Sequence, residues 1–251
     1  MIWEELTSHQ LGEVDKNTPV IINIAAVEQH GKHLPLGTDK MIGGYFCNKI
    51  HEKLEDKVLV LPQVSIGYSR HHMDFPGTLS QNHTTILSQL EEIADSVFFH
   101  GFTKFIFFNS HGGNQGIGQV FIEKMGDKYP DGHFVMINWF RLAVEKLKEL
   151  CKSGFGGAGH GGEFETSLML RIAPHLVSKD HITERMNSKT FDWAEGDLFQ
   201  GPEAAYYRPM KEMTTNGIYG DPRYASVEKG RQIEEIVLER FESIIQDIYQ
   251  C

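Results

Sequence analysis

The sequence has little cysteine. Among its 251 residues there are only Cys47, Cys151 and Cys251, and none of them belongs to a CxxC pair. This excludes a disulfide-rich framework and suits a reducing compartment. The sequence also lacks an apolar run of membrane-spanning length and an N-terminal segment with the basic and apolar regions of a signal peptide. We therefore expect a soluble, cytoplasmic protein with no membrane partner.

Positive charge is also in short supply. Lysine and arginine number 24 against 34 aspartates and glutamates, so the net charge is −10, and no basic cluster offsets it. Nucleic acid and anionic membrane surfaces are therefore poor partners for this chain. Hydrophobic residues make up 40% of the sequence, which is enough for a full core. The length predicts one large domain over residues 1–251.

Short apolar runs alternate with amphipathic segments. The runs have no helical period, which is typical of strands that are buried on both faces of a parallel sheet. They cover residues 20–27, 58–61, 104–109 and 133–138. Helical spacing of apolar residues marks segments 84–100, 117–125 and 226–249, whereas 173–224 has no clear period and is expected to be rich in loops. This alternation predicts an α/β fold, a three-layer α/β/α sandwich with a mostly parallel central sheet.

Candidate metal ligands follow two of the predicted strands. Glu28 and His30 come after the first strand, and their spacing of two places both side chains on one side of an extended backbone. Asp39 follows a turn that contains proline, and His111 comes directly after the third predicted strand. The carboxyl ends of parallel strands meet at one edge of a sheet. A mixed nitrogen and oxygen set suits Zn²⁺, Mn²⁺ or Fe²⁺, and Asp39 could bridge two ions.

Other interpretations of these residues stay open at this point. Polar residues at strand ends are common in ordinary surface loops. Gly112 and Gly113 could simply form a tight turn, or could cradle a phosphate at the start of a helix in a flavodoxin-like nucleotide module. No complete GxGxxG or GxxxxGK[ST] motif is present, which weakens that interpretation. The neighbouring His33, His71 and His72 are either partners of the metal ligands or surface residues.

Five segments resemble, in the same order, the motifs of the creatininase (creatinine amidohydrolase) family. Each segment alone is modest, but their order along nearly the whole chain makes chance a poor explanation. They are 27–39 (VEQHGKHLPLGTD), 75–80 (FPGTLS), 109–114 (NSHGGN), 160–170 (HGGEFETSLML) and 217–222 (GIYGDP).

The resemblance implies a cofactor and an assembly. Family members have a three-layer α/β/α fold with a dinuclear site and form homo-oligomers, often hexamers. By position, Glu28 and His111 would bind one metal ion, His30 the other, and Asp39 would bridge them. We therefore expect two divalent ions per chain, with Zn²⁺ ahead of Mn²⁺ or Fe²⁺.

The resemblance also implies an activity. It makes the chain a metal-dependent amidohydrolase with a small-molecule substrate, acting through a metal-activated water. Ser69 falls where the family has a serine that contacts substrate. His160 falls where the family has a histidine that carries a proton to the leaving group. A non-catalytic metal-binding accessory protein of the same fold is the alternative, and it predicts that His160 is dispensable.

This sequence departs from creatininase at two places. Creatininase has an aromatic residue and then a metal-binding carboxylate where this chain has Gly112 and Gly113, so the second ion lacks a ligand. We predict that Glu163 supplies it. The alternatives are that Glu165 supplies it or that the second site is weak or empty. The segment 154–159 (GFGGAG) replaces an aromatic and acidic segment that binds creatinine. Its glycines predict a roomier or more mobile pocket mouth. They also predict a substrate other than creatinine: another cyclic amide, a formamide, or a cyclic polyol ketone (inosose) whose ring is opened.

Overall fold

The computed structural model describes residues 1–251 and contains one sheet of four parallel strands. The strands are β1 (Val20–Ile24), β2 (Leu59–Val60), β3 (Lys104–Asn109) and β4 (His133–Asn138). Their order in the sheet is β2-β1-β3-β4, and every neighbouring pair is parallel. Because β1 and β3 lie side by side in the middle of the sheet, the loops that follow them emerge next to each other.

The two central strands bury side chains on both faces. In β3, Phe105 and Phe107 pack into one hydrophobic cluster, whereas Ile106 and Phe108 pack into the other. This follows from the two-residue period of a strand, and it explains why residues 105–108 (FIFF) of β3 are all apolar. The sheet is therefore the middle layer of three.

Helices cover both faces of the sheet. They are α1 (Ser8–Glu13), α2 (Thr38–Leu54), α3 (His83–Phe99), α4 (Gln115–Lys128), α5 (Val144–Leu150), α6 (Glu163–Ile172), α7 (Met210–Met213) and α8 (Val227–Gln250). Residues of α2, α6 and α8 belong to one core cluster, and residues of α3 and α4 to the other. The Asn82 and Ser226 side chains accept hydrogen bonds from the backbone N–H groups of Thr85 and Lys229, so they cap α3 and α8.

The predicted fold class is confirmed: the structure is an α/β/α sandwich, and its sheet is wholly parallel. The strand predictions for 104–109 and 133–138 coincide with the observed bounds. The first strand ends at Ile24 instead of residue 27, because the chain leaves the sheet there to form the loop that carries Glu28. The segment 173–224 contains only short helical turns. No helix is both long and apolar enough to cross a membrane.

Candidate metal centre

Polar side chains from four segments converge at the carboxyl edge of the sheet. Glu28 and His30 lie on the loop after β1, and His111 follows β3 directly. Asp39 lies in the first turn of α2, and Glu165 in the first turn of α6. All five residues are at least 95% buried. The structure thus brings Glu28, His30, Asp39 and His111 together, as the sequence predicts.

Glu28, Asp39 and His111 form the first group of candidate ligands. His111 Nδ1 lies 3.3 Å from Glu28 Oε1 and 3.1 Å from Asp39 Oδ2. Atoms bound to one zinc ion at about 2.1 Å in a tetrahedral arrangement lie ~3.4 Å from one another. The spacing in this group therefore fits three ligands of a single ion.

His30, Glu165 and His160 form the second group, in which the donor atoms lie within 4.8 Å of one another, and Asp39 adjoins it. His30 Nε2 lies 3.2 Å from Asp39 Oδ1 and 3.8 Å from Glu165 Oε2. Asp39 thus directs one carboxylate oxygen at each group. This is the arrangement expected of a carboxylate that bridges two ions.

Both histidines direct one ring nitrogen at the cluster and use the other for a backbone hydrogen bond. His30 Nδ1 donates to the Glu28 carbonyl oxygen at 3.1 Å, which leaves Nε2 free to face Asp39 and Glu165. His111 Nε2 donates to the Tyr68 carbonyl oxygen at 2.9 Å, which leaves Nδ1 to face Glu28 and Asp39. A backbone acceptor that selects the ring tautomer in this way is typical of metal-binding histidines.

Carboxylate oxygens without hydrogen-bond donors also indicate that the cluster binds divalent cations. Both oxygens of Glu28 and Oδ2 of Asp39 are buried and have no hydrogen-bond donor. A buried, unsatisfied carboxylate is costly unless a cation compensates it. Glu28, Asp39 and Glu165 together carry up to three negative charges in one buried cluster, and no lysine or arginine pairs with them. Two divalent ions would compensate that charge.

In the metal-free chain, protons take the place of cations. Burial opposes charge on His30, but Asp39 and Glu165 outweigh it and raise its pKa to about 10. Burial likewise opposes charge on His111, yet Glu28 and Asp39 raise its pKa well above the ordinary value. Burial raises the pKa of Glu165 to about 7. The pKa of Glu28 is held well below its usual range, because the surrounding histidines outweigh its burial.

His160 and Ser69 lie beside the cluster. His160 Nε2 donates to the Gln29 carbonyl oxygen at 2.6 Å, and Nδ1 lies 3.4 Å from Glu28 Oε1. The His160 side chain is 14% exposed, so it is more accessible than the candidate ligands. Burial lowers its pKa well below the ordinary value, and the ring is neutral at pH 7. Ser69 Oγ is buried 3.4 Å from His111 Nε2.

Glu163 does not face the cluster, and the prediction that it completes the second site is corrected. Its carboxylate accepts hydrogen bonds from the backbone N–H groups of Lys152 and Ser153, at 3.0 and 2.9 Å, and forms a buried ion pair with Lys229 of α8. Two residues on an α-helix are about 200° apart around its axis. Glu163 and Glu165 therefore point in nearly opposite directions, and only Glu165 faces His30.

Gly113 explains why this chain has no carboxylate directly after the histidine motif. A β-carbon at position 113 would collide with the Tyr68 carbonyl oxygen and with the His111 ring. The loop can pass this close to both only because residue 113 has no side chain. The additional carboxylate at the cluster, Glu165, therefore comes from α6 and not from the segment 109–114.

The glycine-rich segment before His160 is closely packed, in contrast to the expected roomy pocket mouth. Residues 156–159 are buried. A β-carbon on Gly159 would collide with the Tyr219 carbonyl oxygen, and one on Gly162 with the Gly157 carbonyl oxygen. His160 also pairs with Tyr219 through a backbone hydrogen bond of 2.8 Å. The glycines allow backbone to pack on backbone and thereby hold His160 in place.

The sequence left His72 open as a partner of the ligands or a surface residue, gave no signal for Gln29, and favoured Glu163 over Glu165. His72 and Gln29 are both buried next to Glu28, but a histidine pair in a loop and a glutamine inside a motif carry no distinctive spacing. Helical geometry shows that only one of Glu163 and Glu165 can face the cluster. It does not show which, since that depends on how α6 packs against α2 and α8.

Comparison with known proteins supports the resemblance noted in the sequence. The family model described as "Creatinine amidohydrolase" (Creatininase) matches residues 4–245. Creatinine amidohydrolase of Pseudomonas putida is 26% identical over 91% of this chain and 88% of its own. Mycofactocin precursor peptide peptidase of Mycobacterium ulcerans is 28% identical over 85% and 79%. The 3-dehydro-scyllo-inosose hydrolase of Thermotoga maritima is 24% identical over 99% and 83%.

Solved structures agree with the fold. A structure described as "Creatininase Mn" superposes with a TM-score of 0.84 at 24% identity, covering 100% of this chain and 99% of the other. A creatininase variant of "Zn-Zn type" superposes with a TM-score of 0.82 at 23% identity, covering 100% and 98%. The family model covers nearly the entire chain, including every residue of the buried cluster. The protein therefore belongs to the creatininase (creatinine amidohydrolase) family of hydrolases.

Proposed function

We propose that this chain is a dinuclear metal hydrolase that cleaves the C–N bond of a small amide or formamide. One observation carries the proposal. The buried Asp39 carboxylate lies between two groups of candidate ligands, with one oxygen 3.1 Å from His111 and the other 3.2 Å from His30. Such an arrangement is costly without cations, because both Glu28 oxygens and Asp39 Oδ2 are buried without a hydrogen-bond donor.

Five side chains would hold the two ions. Glu28 and His111 would hold one ion, His30 and Glu165 would hold the other, and Asp39 would contribute one carboxylate oxygen to each. A set of imidazole and carboxylate ligands suits Zn²⁺, with Mn²⁺ or Fe²⁺ as alternatives. Structures of relatives described as Mn and Zn-Zn forms of creatininase support this choice.

When bound, the ions would polarise the substrate carbonyl and activate a water for attack. His160 supplies the proton transfer. Its Nδ1 is bare and faces the cluster, because Nε2–H is engaged by the Gln29 carbonyl oxygen. His160 Nδ1 accepts the proton that the attacking water releases and delivers it to the departing nitrogen as the C–N bond breaks. Ser69, next to His111, contacts the substrate.

A second candidate reaction is the ring opening of a cyclic polyol ketone. The similarity to 3-dehydro-scyllo-inosose hydrolase, which extends over 99% of this chain, favours it. The same residues serve both reactions, since His160 can deliver its proton to a departing carbon as well as to a nitrogen. The two candidates differ in the bond broken and not in the machinery.

Metal analysis combined with turnover assays tests the proposal. We expect about two ions per chain in protein purified without chelator, and hydrolysis of a compound from a panel of formamides, cyclic amides and inososes. The His160→Asn variant should retain both ions and lose at least a hundredfold in kcat, as expected when general acid–base catalysis is removed. The exposed His175 provides a matched control, and His175→Asn should behave as wild type.

Two results would contradict the proposal. Wild-type protein that stays metal-free in excess Zn²⁺ and Mn²⁺ would show that the cluster is not a metal centre. Turnover that survives unchanged in His160→Asn would remove His160 from the reaction. Metal binding without turnover of any compound in the panel would favour the non-catalytic accessory protein.

A further inference from the structure

His72 lies next to the carboxylate of Glu28, and its ring also contacts the side chain of Gln29. His72 Nε2 lies 3.4 Å from Glu28 Oε1, and the side chain is 1% exposed. Together with Glu28 and His160 it forms a third group whose donor atoms lie within 4.8 Å of one another. Distances alone would allow this group to hold an ion. The position of the ring hydrogen on His72, however, indicates that His72 does not bind an ion.

Backbone contacts fix the orientation of the Gln29 amide. Gly31 N–H donates to Gln29 Oε1 at 3.0 Å, so the oxygen lies on that side. Gln29 Nε2 donates to the Gly217 carbonyl oxygen at 2.9 Å, which requires the nitrogen on the other side. The second hydrogen of the same amide nitrogen is directed at His72 Nδ1, 2.8 Å away. The Gln29 side chain is therefore a hydrogen-bond donor to His72.

This contact determines the tautomer of His72. Because Nδ1 accepts from Gln29, it carries no hydrogen, and the hydrogen of the neutral ring is on Nε2. Nε2 thus presents an N–H to Glu28, whereas His30 and His111 would present lone pairs to bound ions. Gln29 also sets His160, but with its backbone carbonyl and with the opposite result: Nε2 of His160 carries the hydrogen, and Nδ1 is bare.

We propose that His72 is a positioning residue that directs its Nε2 N–H toward Glu28 Oε1 across 3.4 Å and orients this carboxylate through that polar contact, and that it is not a metal ligand. The proposal rests on the proposed function, in which Glu28 binds an ion. It assigns opposite tasks to two neighbouring histidines: His72 orients Glu28, and His160 moves the proton. One residue, Gln29, determines both tautomers, and it thereby links the histidine that orients Glu28 to the histidine that transfers the proton.

The segment around Thr78 supports this arrangement. Gln29 N–H donates to Thr78 Oγ1 at 3.1 Å, and Thr78 Oγ1 donates to the His72 carbonyl oxygen at 3.4 Å. The backbone segments of Gln29 and His72 are therefore linked through one hydroxyl group. This gives Thr78, in the FPGTLS motif, a structural task that its sequence context does not reveal.

Nitrogen NMR of wild-type protein tests the tautomer directly. With ¹⁵N-labelled histidine, recorded on the zinc-loaded and on the metal-free chain, we expect His72 to show a protonated Nε2 and a bare Nδ1 in both states. A bare Nε2, or a His72 resonance that shifts to a metal-bound position on zinc addition, would overturn the proposal. If the wild-type chain binds no zinc, the proposed function fails, whereas the spectrum of the metal-free chain still decides the tautomer.

Two variants test the orienting role. Glutamine places an amide N–H where imidazole has Nε2, whereas asparagine reaches only as far as Nδ1. We expect His72→Asn to retain two ions at saturating zinc but to bind the first ion about 10- to 100-fold more weakly, as for loss of an outer partner of a ligand. His72→Gln should restore most of that affinity. One ion fewer in His72→Asn at saturation would identify His72 as a ligand, and unchanged affinity would remove the orienting role.

Discussion

Replacing Glu165 with glutamine removes one negative charge from the cluster and preserves the size of the side chain. Gly161 N–H donates to Glu165 Oε2 at 2.6 Å, and the amide oxygen of glutamine can accept the same bond. The fold should therefore persist. The site formed with His30 and Asp39 loses one of its ligands, so we expect one bound ion per chain instead of two.

The stability of the metal-free variant follows from the pKa of Glu165. Burial raises that pKa to about 7, compared with about 4.3 in an unfolded chain. Above pH 7 the ionised carboxylate therefore costs roughly 4 kcal/mol of folding free energy in the absence of metal. Glutamine carries no charge, so the metal-free Glu165→Gln protein at pH 8 should be at least as stable as wild type.

The same substitution at Glu163 should have the opposite effects. Glu163→Gln leaves Lys229 buried without a counter-ion, and breaking a buried pair in this way costs about 3–5 kcal/mol. For a domain of this size, such a loss lowers the melting temperature by roughly 6–20 °C. The metal content should stay at two ions per chain, because Glu163 does not face the cluster.

Metal analysis after dialysis measures the number of bound ions in both variants. Thermal unfolding of the metal-free proteins measures their stability. A Glu165→Gln protein that retains two ions with undiminished affinity would refute the role of Glu165 as a ligand. A folded Glu163→Gln protein with only one ion would refute it equally.

Four further predictions follow from the structure. Asp39→Asn should lose both ions, because this residue faces both ligand groups; one retained ion in metal analysis would rule out the bridge. Gly113→Ala should displace His111 and cost about 1–3 kcal/mol, whereas Gly112→Ala, whose β-carbon would lie 3.8 Å from its nearest neighbour, should match wild type in metal content and urea unfolding. Burial lowers the pKa of His33 to about 4, compared with about 6.5 unfolded, so between these values the unfolded chain binds a proton that the folded chain does not. Stability therefore falls by about 3 kcal/mol as the pH drops from about 6.5 to about 4, and His33→Gln should lack this part of the acid sensitivity; an equal pH slope in urea unfolding of both proteins would contradict this. By family resemblance the chain should form a homo-oligomer, and light scattering should give a mass several times 28.5 kDa; a monomer mass would contradict it.

The layered fold could be predicted because its signals are local. The run KFIFFN at 104–109 is apolar on both sides of a strand, and the apolar residues of α8 recur with a helical period. Such patterns reflect which faces of an element are buried and need no knowledge of its neighbours. The same local logic placed Glu28 and His111 at the carboxyl ends of two adjacent strands.

The remainder of the site depends on contacts between distant segments. Glu163 and Glu165 are equally good ligands in sequence, and the packing of α6 turned the first toward Lys229 and the second toward His30. The tautomer of His72 depends on Gln29, 43 residues earlier, and on Gly217, 188 residues from Gln29. Residue type and spacing thus determined the fold and four of the candidate ligands. Only the tertiary structure selected the fifth candidate ligand and suggested the proton positions proposed above. The reason is that the direction of a side chain, and the hydrogen-bond partner on its far side, are set by elements that meet when the chain folds.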